Sequence, residues 1–202
     1  MDRPNYHHGA LEAALVEAAV AVARAEGPAA LSVRAIAAAV DVSPAAVYRH
    51  FQSLDHLVAA VSQVAREELA RALIVAQVAP MSARTKALRS RQRMAAVGRA
   101  YIRFAIDEPH LFDTAFVSCG APPPGPDEPS SWNVLLECVE ELEATGVVSP
   151  AMAVDAPLIA WAGVHGLANI LVRGVTAEPL VTAAAIDTVV EALLRSVEQP
   201  RR

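Results

Sequence analysis

The chain has 202 residues, a formal net charge of −5 at pH 7, and 54% hydrophobic against only 4% aromatic residues. That length suits one large domain, or a small one joined to a larger one, with a core that folds without staples. The alanine-rich mix favours closely packed helices over sheets, and the acid excess excludes a protein that coats nucleic acid generally while leaving room for a local basic surface.

The opening MDRPNYHHGALEAAL has no continuous apolar core behind a basic region, so it does not read as a secretory signal, and a cytoplasmic protein is expected. From Leu11 to Glu26 the apolar residues Leu11, Leu15, Ala18 or Ala19, and Val22 recur at helical spacing, with Glu12, Glu17, Arg24 and Glu26 on other faces; Gly27-Pro28 stops this helix. Ser32 is placed to cap a second helix over Val33 to Val40, with Val33, Ile36, Ala37 and Val40 as its apolar stripe. A turn, Asp41-Val42-Ser43, follows. Ser43 caps again, and Pro44 takes the first helical position, where its missing N–H does no harm, to start a third helix running to His50. Helix, tight turn and short helix make a helix-turn-helix.

Ser53 caps a fourth helix that continues on Leu57, Val61, Val64, Leu69 and Leu73 through Val78 until Pro80 ends it. Ala83 to Asp107 is another long helical run, ended by Glu108-Pro109. Its basic residues Arg84, Lys86, Arg89, Arg91, Arg93, Arg99 and Arg103 have no acid among them, which reads first as a solvated face paired with acids elsewhere and second as a surface for DNA or an acidic ligand. His110 to Phe116 is a short amphipathic helix, and the proline- and glycine-rich CGAPPPGPDEP after it is a loop. Ser130 or Ser131 starts a helix to about Thr145, ended by Gly146.

Asp155 then caps a helix over APLIAWAGVHGLANILV, Ala156 to Val172, which ends near Gly174. It carries no charge, but its seventeen residues with His165, Asn169 and two glycines fall short of the roughly 20 needed for a span, and a helix buried on all sides is the plainer account. The last helix covers Glu178 to Gln199 and is apolar on more than one face, so the C-terminal end has surplus apolar surface that suits a dimer through a four-helix bundle. The two cysteines, Cys119 and Cys138, have no CxxC spacing and no basic neighbour in sequence, so neither a disulfide framework, a zinc site nor an activated thiol is encoded.

The opening YHHGALEAALVEAAVAVARAEGPAALSVRAIAAAVDVSPAAVYRHFQSLDHLVAAV, Tyr6 to Val61, and above all VSPAAVYRHF, resembles the TetR family of bacterial transcriptional regulators. Helix, glycine stop, capped helix, turn and YRHF come in that family's order and spacing. A weaker similarity, in GRAYIRFAIDEPHLFDTAF and in WAGVHGL with Trp161, His165 and Gly166, is to the family's C-terminal domain type with a Trp…His-Gly signature. The resemblance implies an all-α homodimer whose subunits each carry a three-helix DNA-binding head, 1–56, and a larger helical ligand-binding and dimerisation domain, 57–202. It also implies that a bound ligand swings the heads apart and lowers affinity for the operator, a site on double-stranded DNA.

Carried onto this chain, the family's DNA contacts fall on Arg34, Ser43, Pro44, Ala45, Ala46, Tyr48, Arg49 and His50. Arg34 can make a bidentate bond to guanine, and Ser43-Pro44 turn the first backbone N–H groups of the recognition helix outward. Ala45 and Ala46 at the tip read little beyond thymine methyls, and Tyr48, Arg49 and His50 suit phosphate oxygens. Two departures stand out: Asp41 where many members have glycine in the turn, and Leu54 where many have a lysine. Residues 1–60 hold Arg3, Arg24, Arg34 and Arg49 against Asp2, Glu12, Glu17, Glu26, Asp41 and Asp55, a net of 4 − 6 = −2, so DNA binding should be electrostatically thin.

For a small-molecule effector the candidate lining is Phe104, Phe112, Phe116, Trp132, Trp161, His165 and Asn169, with His110 beside them, mostly apolar and suited to a hydrophobic ligand. His165 and Asn169 lie one turn apart in the uncharged helix and need hydrogen-bond partners there. A helical carrier that has lost its operator is the second reading. An enzyme is the third and has no motif behind it: no acid/base pair, nucleophile–base spacing, phosphate loop, metal-ligand cluster or cofactor signature occurs.

Overall fold

The computed structural model describes residues 4–117, 129–174 and 183–198, with side chains from residue 9 onward. Cys119, nearly all of the proline-rich loop, and the expected start of the last helix at Glu178 lie outside them, as do Arg3 and the side chains of Tyr6, His7 and His8. Among the described residues there are ten α-helices and no strand: α1 Pro4–Glu26, α2 Val33–Ala39, α3 Pro44–Val47, α4 Leu54–Val78, α5 Lys86–Asp107, α6 Pro109–Ala115, α7 Ser131–Ala144, α8 Pro150–Ala153, α9 Ala156–Val172 and α10 Ala183–Val197.

The chain forms two compact units, one of residues up to Glu67 together with α6, the other of the rest of α4 with α5 and α7 to α10. In the first, Leu15, Ala19 and Ala23 form a fully buried stripe on α1, every fourth residue. Ile36 and Ala37 of α2, Val47 of α3, Phe51, and Leu57 and Val61 of α4 complete the core. Three serines set the helix starts: Ser32, Ser43 and Ser53 each accept, at 3.2 Å, the backbone N–H three residues on, from Ala35, Ala46 and His56. Each such cap contributes about 1 kcal/mol. Asp41 takes the left-handed conformation, φ 56°, that its place in the turn requires.

This unit extends past residue 56 because α4 continues to bury its side chains there and because α6 is tied to it. Ser62 donates to the carbonyl of Ala115 at 3.2 Å, and Arg66 donates to Ser62 Oγ at 2.8 Å and to the same carbonyl at 3.3 Å, which satisfies the open end of α6. Arg24 pairs with Glu108 at 3.2 Å, just ahead of α6. The ring of His110 lies against Gly27, where a β-carbon would come 3.3 Å from Nδ1; the positive φ of 85° there favours glycine independently.

In the second unit α5 packs against α7, α9 and α10, and α9 packs against α7 and α10. Part of the basic run is absorbed here. Arg91 binds Glu191 at 2.6 Å and also Glu198, Arg93 binds Glu141 at 2.5 Å and the carbonyl of Gln77 at 2.8 Å, and Arg99 reaches Asp187 at 3.2 Å. Arg89 donates to the carbonyls of Ala83 and Arg84. Pairing with acids from elsewhere in the fold thus takes Arg91, Arg93 and Arg99, while Arg84, Lys86 and Arg103 stay exposed. Gly163 lets α10 approach α9 closely, since a β-carbon there would collide with the end of the Leu193 side chain.

Three local expectations differ from the fold. The recognition helix closes at Val47 rather than His50, because Arg49 and His50 donate back three residues, to Ala46 and Val47, and tighten the last turn. The four-residue helix α8, capped by Ser149, begins with the same Ser-Pro signal as α3. Asp155 makes no side-chain cap to α9: Val154 and Asp155 are themselves in right-handed helical conformation, so the chain passes from α8 to α9 without the extended residue that capping needs.

Candidate functional site

The helix-turn-helix presents a solvent-facing edge built from residues that its own core leaves outside. α3 and the turn after it bury Ala46, Val47 and Phe51, a spacing of one helical turn, and so expose Ala45, Tyr48 and Arg49. Ser43 and Pro44, at the exposed start of α3, and Arg34, in the first turn of α2, are also at the surface. Tyr48 is 55% exposed, unusual for so large a ring. Arg34 and Arg49 form no ion pair among the described residues and supply the positive charge of the edge.

Two of the eight residues expected at DNA are turned inward. The side chain of His50 is only 2% exposed, with Nδ1 3.8 Å from Glu12 of α1, and Ala46 is 4% exposed. His50 sits three residues after Val47 and four after Ala46, on the core face, and that spacing was available in the sequence. A phosphate cannot reach a ring buried in this way without the head opening. Arg34, Ser43, Pro44, Ala45, Tyr48 and Arg49 are the six that remain accessible.

In the second unit two small apolar cavities lie on either side of the contact between α5 and α9. The first, about 30 Å³, is bounded by Leu73, Val97, Tyr101, Ser131, Leu135 and Trp161; the second, about 20 Å³, by Val190, Leu193, Leu194 and Val197 of α10. Met94, Gly98, Ala160 and Val164 border both. Each has room for about one water, so a ligand of ordinary size has to part the side chains between the helices.

Of the seven residues expected to line a ligand site, Trp161 does so directly. His165 stands behind it: its ring stacks on Trp161, centroids 4.9 Å apart, and its Nδ1 shares a 2.8 Å hydrogen bond with the hydroxyl of Tyr101. Burial pushes the His165 pKa down and that of Tyr101 up, so both are neutral near pH 7. Trp132 meets Trp161 edge to face at 6.3 Å but is 42% exposed, and Asn169 spends its amide on the carbonyl of His165 at 2.9 Å. Phe104 is half-buried on α5 away from both cavities. Phe112 and Phe116 belong to the other unit, where they pair edge to face at 5.1 Å, because α6 is docked there.

Tyr101, Met94 and Gly98 are cavity residues that the sequence reading does not include. Their signal was the spacing Met94, Val97 or Gly98, Tyr101 on one face of α5, with a tyrosine hydroxyl that must find a partner once buried. Among the described residues no three His, Cys, Asp or Glu side chains converge as a metal site, and no helix is long and apolar enough to cross a membrane. Cys138 is buried, and desolvation raises its thiol pKa to about 12.

A capped helix-turn-helix with an exposed, basic and aromatic edge, joined by α4 to a helical unit with apolar cavities, defines a DNA-binding regulator. Comparison with known families agrees. Residues 15–61 match the bacterial regulatory proteins of the tetR family, and residues 94–197 match the tetracyclin repressor-like C-terminal domain. The chain belongs to the TetR family of transcriptional regulators. Among solved structures it is similar to a protein of unknown function from Rhodococcus sp. RHA1, with 28% identity, a TM-score of 0.72 and coverage of 98% of this chain and 100% of that one. A TetR family transcription regulator from Marinobacter aquaeolei VT8 shares the fold at 16% identity and TM-score 0.61, over 94% of this chain and 96% of that one. So does a tetR-family regulatory protein from Rhodococcus RHA1, at 21% identity and TM-score 0.62, over 94% and 98%. No curated protein matches the sequence.

Proposed function

We propose that this regulator is a homodimeric repressor that binds a palindromic operator and is released from it by a small, hydrophobic effector. The observation that carries the reading is the exposed edge of Arg34, Ser43, Pro44, Ala45, Tyr48 and Arg49 on a helix-turn-helix whose two helices, α2 and α3, are each started by a serine cap. Arg34 would read a base, Tyr48 and Arg49 would position the phosphates, and the start of α3 would turn its N–H groups to the groove. Apolar side chains left in solvent on α9, Leu158 at 62% and Ile170 at 42%, support a second copy packing there. The cavities, lined by aliphatic and aromatic groups, support an apolar effector, and the protein would act in the cytoplasm, where its operator is.

The test is selection of bound sequences from a pool of random DNA duplexes by the purified full-length protein. Enrichment of an inverted repeat is expected. A folded dimer that enriches nothing at low salt would overturn the operator reading and favour a helical carrier protein, and a monomer by light scattering at micromolar concentration would overturn the dimer.

A further inference from the structure

The two cavities share Met94, Gly98, Ala160 and Val164 and extend from them toward Trp161 in the first and toward α10 in the second. At about 30 and 20 Å³ both are thin, with room for about one water each. The walls of both are almost wholly apolar, and no charged side chain lines either one. The partition between them is slight: Gly98 contributes no side chain, and Met94 is the most easily repacked of the apolar residues.

The hydroxyl of Tyr101, at the border of the first cavity, is engaged within the protein in both of its roles. The indole N–H of Trp161 can only donate, so in its bond with Tyr101 the phenolic oxygen accepts; the Tyr101 O–H in turn donates to Nδ1 of His165 at 2.8 Å. What Tyr101 offers a ligand is therefore its ring. Ser131 is the remaining hydroxyl beside that cavity, too little to meet a carboxylate, an ammonium or an amide, each of which gives up its water on entering.

We infer that the two cavities are the ends of one narrow site for a straight, unsubstituted hydrocarbon chain, which lies across Gly98 with one end against Trp161 and the other between α5 and α10. This rests on the effector-binding reading above and adds the ligand's chemical class, shape and pose. A chain one methylene thick parts the facing side chains least, and only Met94 has to swing aside for it to pass from one cavity to the other. Selectivity comes from exclusion: an apolar wall whose neighbouring tyrosine is already bonded gives a polar group nothing in return for its lost water.

The test is uptake of the n-alkanes from pentane to decane by the full-length protein, read by depletion of the vapour above the solution. Each methylene buried raises affinity about fourfold, so binding should climb steadily with chain length. Gly98→Ala fits without a clash, its β-carbon 3.5 Å from Val190 and 3.7 Å from Val164, but it fills the passage between the cavities. In that variant the climb should stop at a shorter chain while pentane binds as before, and a climb that stops at the same length with and without Gly98→Ala would overturn the single site. Against bound hexane, 1-octanol should compete at least about fivefold more weakly than nonane, which has as many heavy atoms, because its hydroxyl is buried unmet. Equal competition would overturn the unsubstituted chain, and this comparison uses the unaltered protein, so it decides whether or not the variant folds. Decalin, a thicker hydrocarbon with the ten carbons of decane, should bind more weakly than decane; equal binding would overturn the narrow site. Operator affinity measured alongside separates this from the wider reading: chain-dependent binding that leaves DNA affinity unchanged sinks the effector role and keeps the site, whereas DNA release by a polar compound, with no alkane bound, does the reverse.

Discussion

His50 is where the family resemblance and the structure make opposite demands, and a single substitution separates them. If the ring served a phosphate, His50→Ala would remove one contact, lower affinity for all DNA alike and reduce the salt slope by about 0.9. The ring is instead 2% exposed within the head, so the substitution empties a buried site beside Val47 and Phe51. Losses on emptying a core position run to about 2–5 kcal/mol for wholly apolar groups, and about 2 kcal/mol is expected for an imidazole that also gives up polar neighbours. For a chain of this size that is a fall of about 4–8 °C in Tm. The assay pairs thermal unfolding by circular dichroism with operator binding across a salt series, well below the lowered Tm. An unchanged Tm with a shallower salt slope would refute the buried placement.

Three further outcomes follow from the same geometry. Arg34→Ala should relax base preference at one position per half-site, with about 1–3 kcal/mol of discrimination lost there, and a uniform loss over all sequences in the selection assay would show a phosphate contact instead. The salt dependence of operator binding should correspond to roughly 2–4 phosphates per head, since Arg34 and Arg49 are the free cations of the edge among the described residues and Leu54 stands where many members have lysine; a markedly steeper slope would mean that other cations reach the DNA. Burial lowers the pKa of His165, so the unfolded chain takes up its proton first on acidification. That contribution to stability is present above the unfolded value near 6.5 and is lost as pH falls through the window below it. His165→Phe should flatten the fall in Tm below about pH 6.5, and an unaltered pH profile would show that His165 is not the titrating group.

The helix ends were legible because they are local. Ser32, Ser43 and Ser53, Pro44, and the stops at Gly27 and Gly146 act over three or four residues, and the helices start and stop where those residues put them. The left-handed Asp41 and the order of the helix-turn-helix were legible for the same reason, and with them the family. The same local rule predicts a cap at Asp155, where none forms because the chain leaves α8 in helical conformation.

What only the tertiary structure decided is which face of each helix is inside and which distant residue answers it. His50 and Ala46 share the core-facing register of Val47 and Phe51, yet whether a histidine there meets phosphate or the flank of α1 depends on how α1 crosses α3. The sequence leaves open which of the basic residues around α5 find acids; Glu141, Asp187, Glu191 and Glu198, 48 to 107 residues further along, take up Arg91, Arg93 and Arg99. Phe112 and Phe116 look like a ligand wall in sequence but follow α6 to the head, while Tyr101, which borders the first cavity, joins His165 across 64 residues. Local hydrogen bonds are specified by neighbours along the chain; ion pairs and cavity walls are specified by packing, which sums many weak apolar contacts between residues that no short stretch contains.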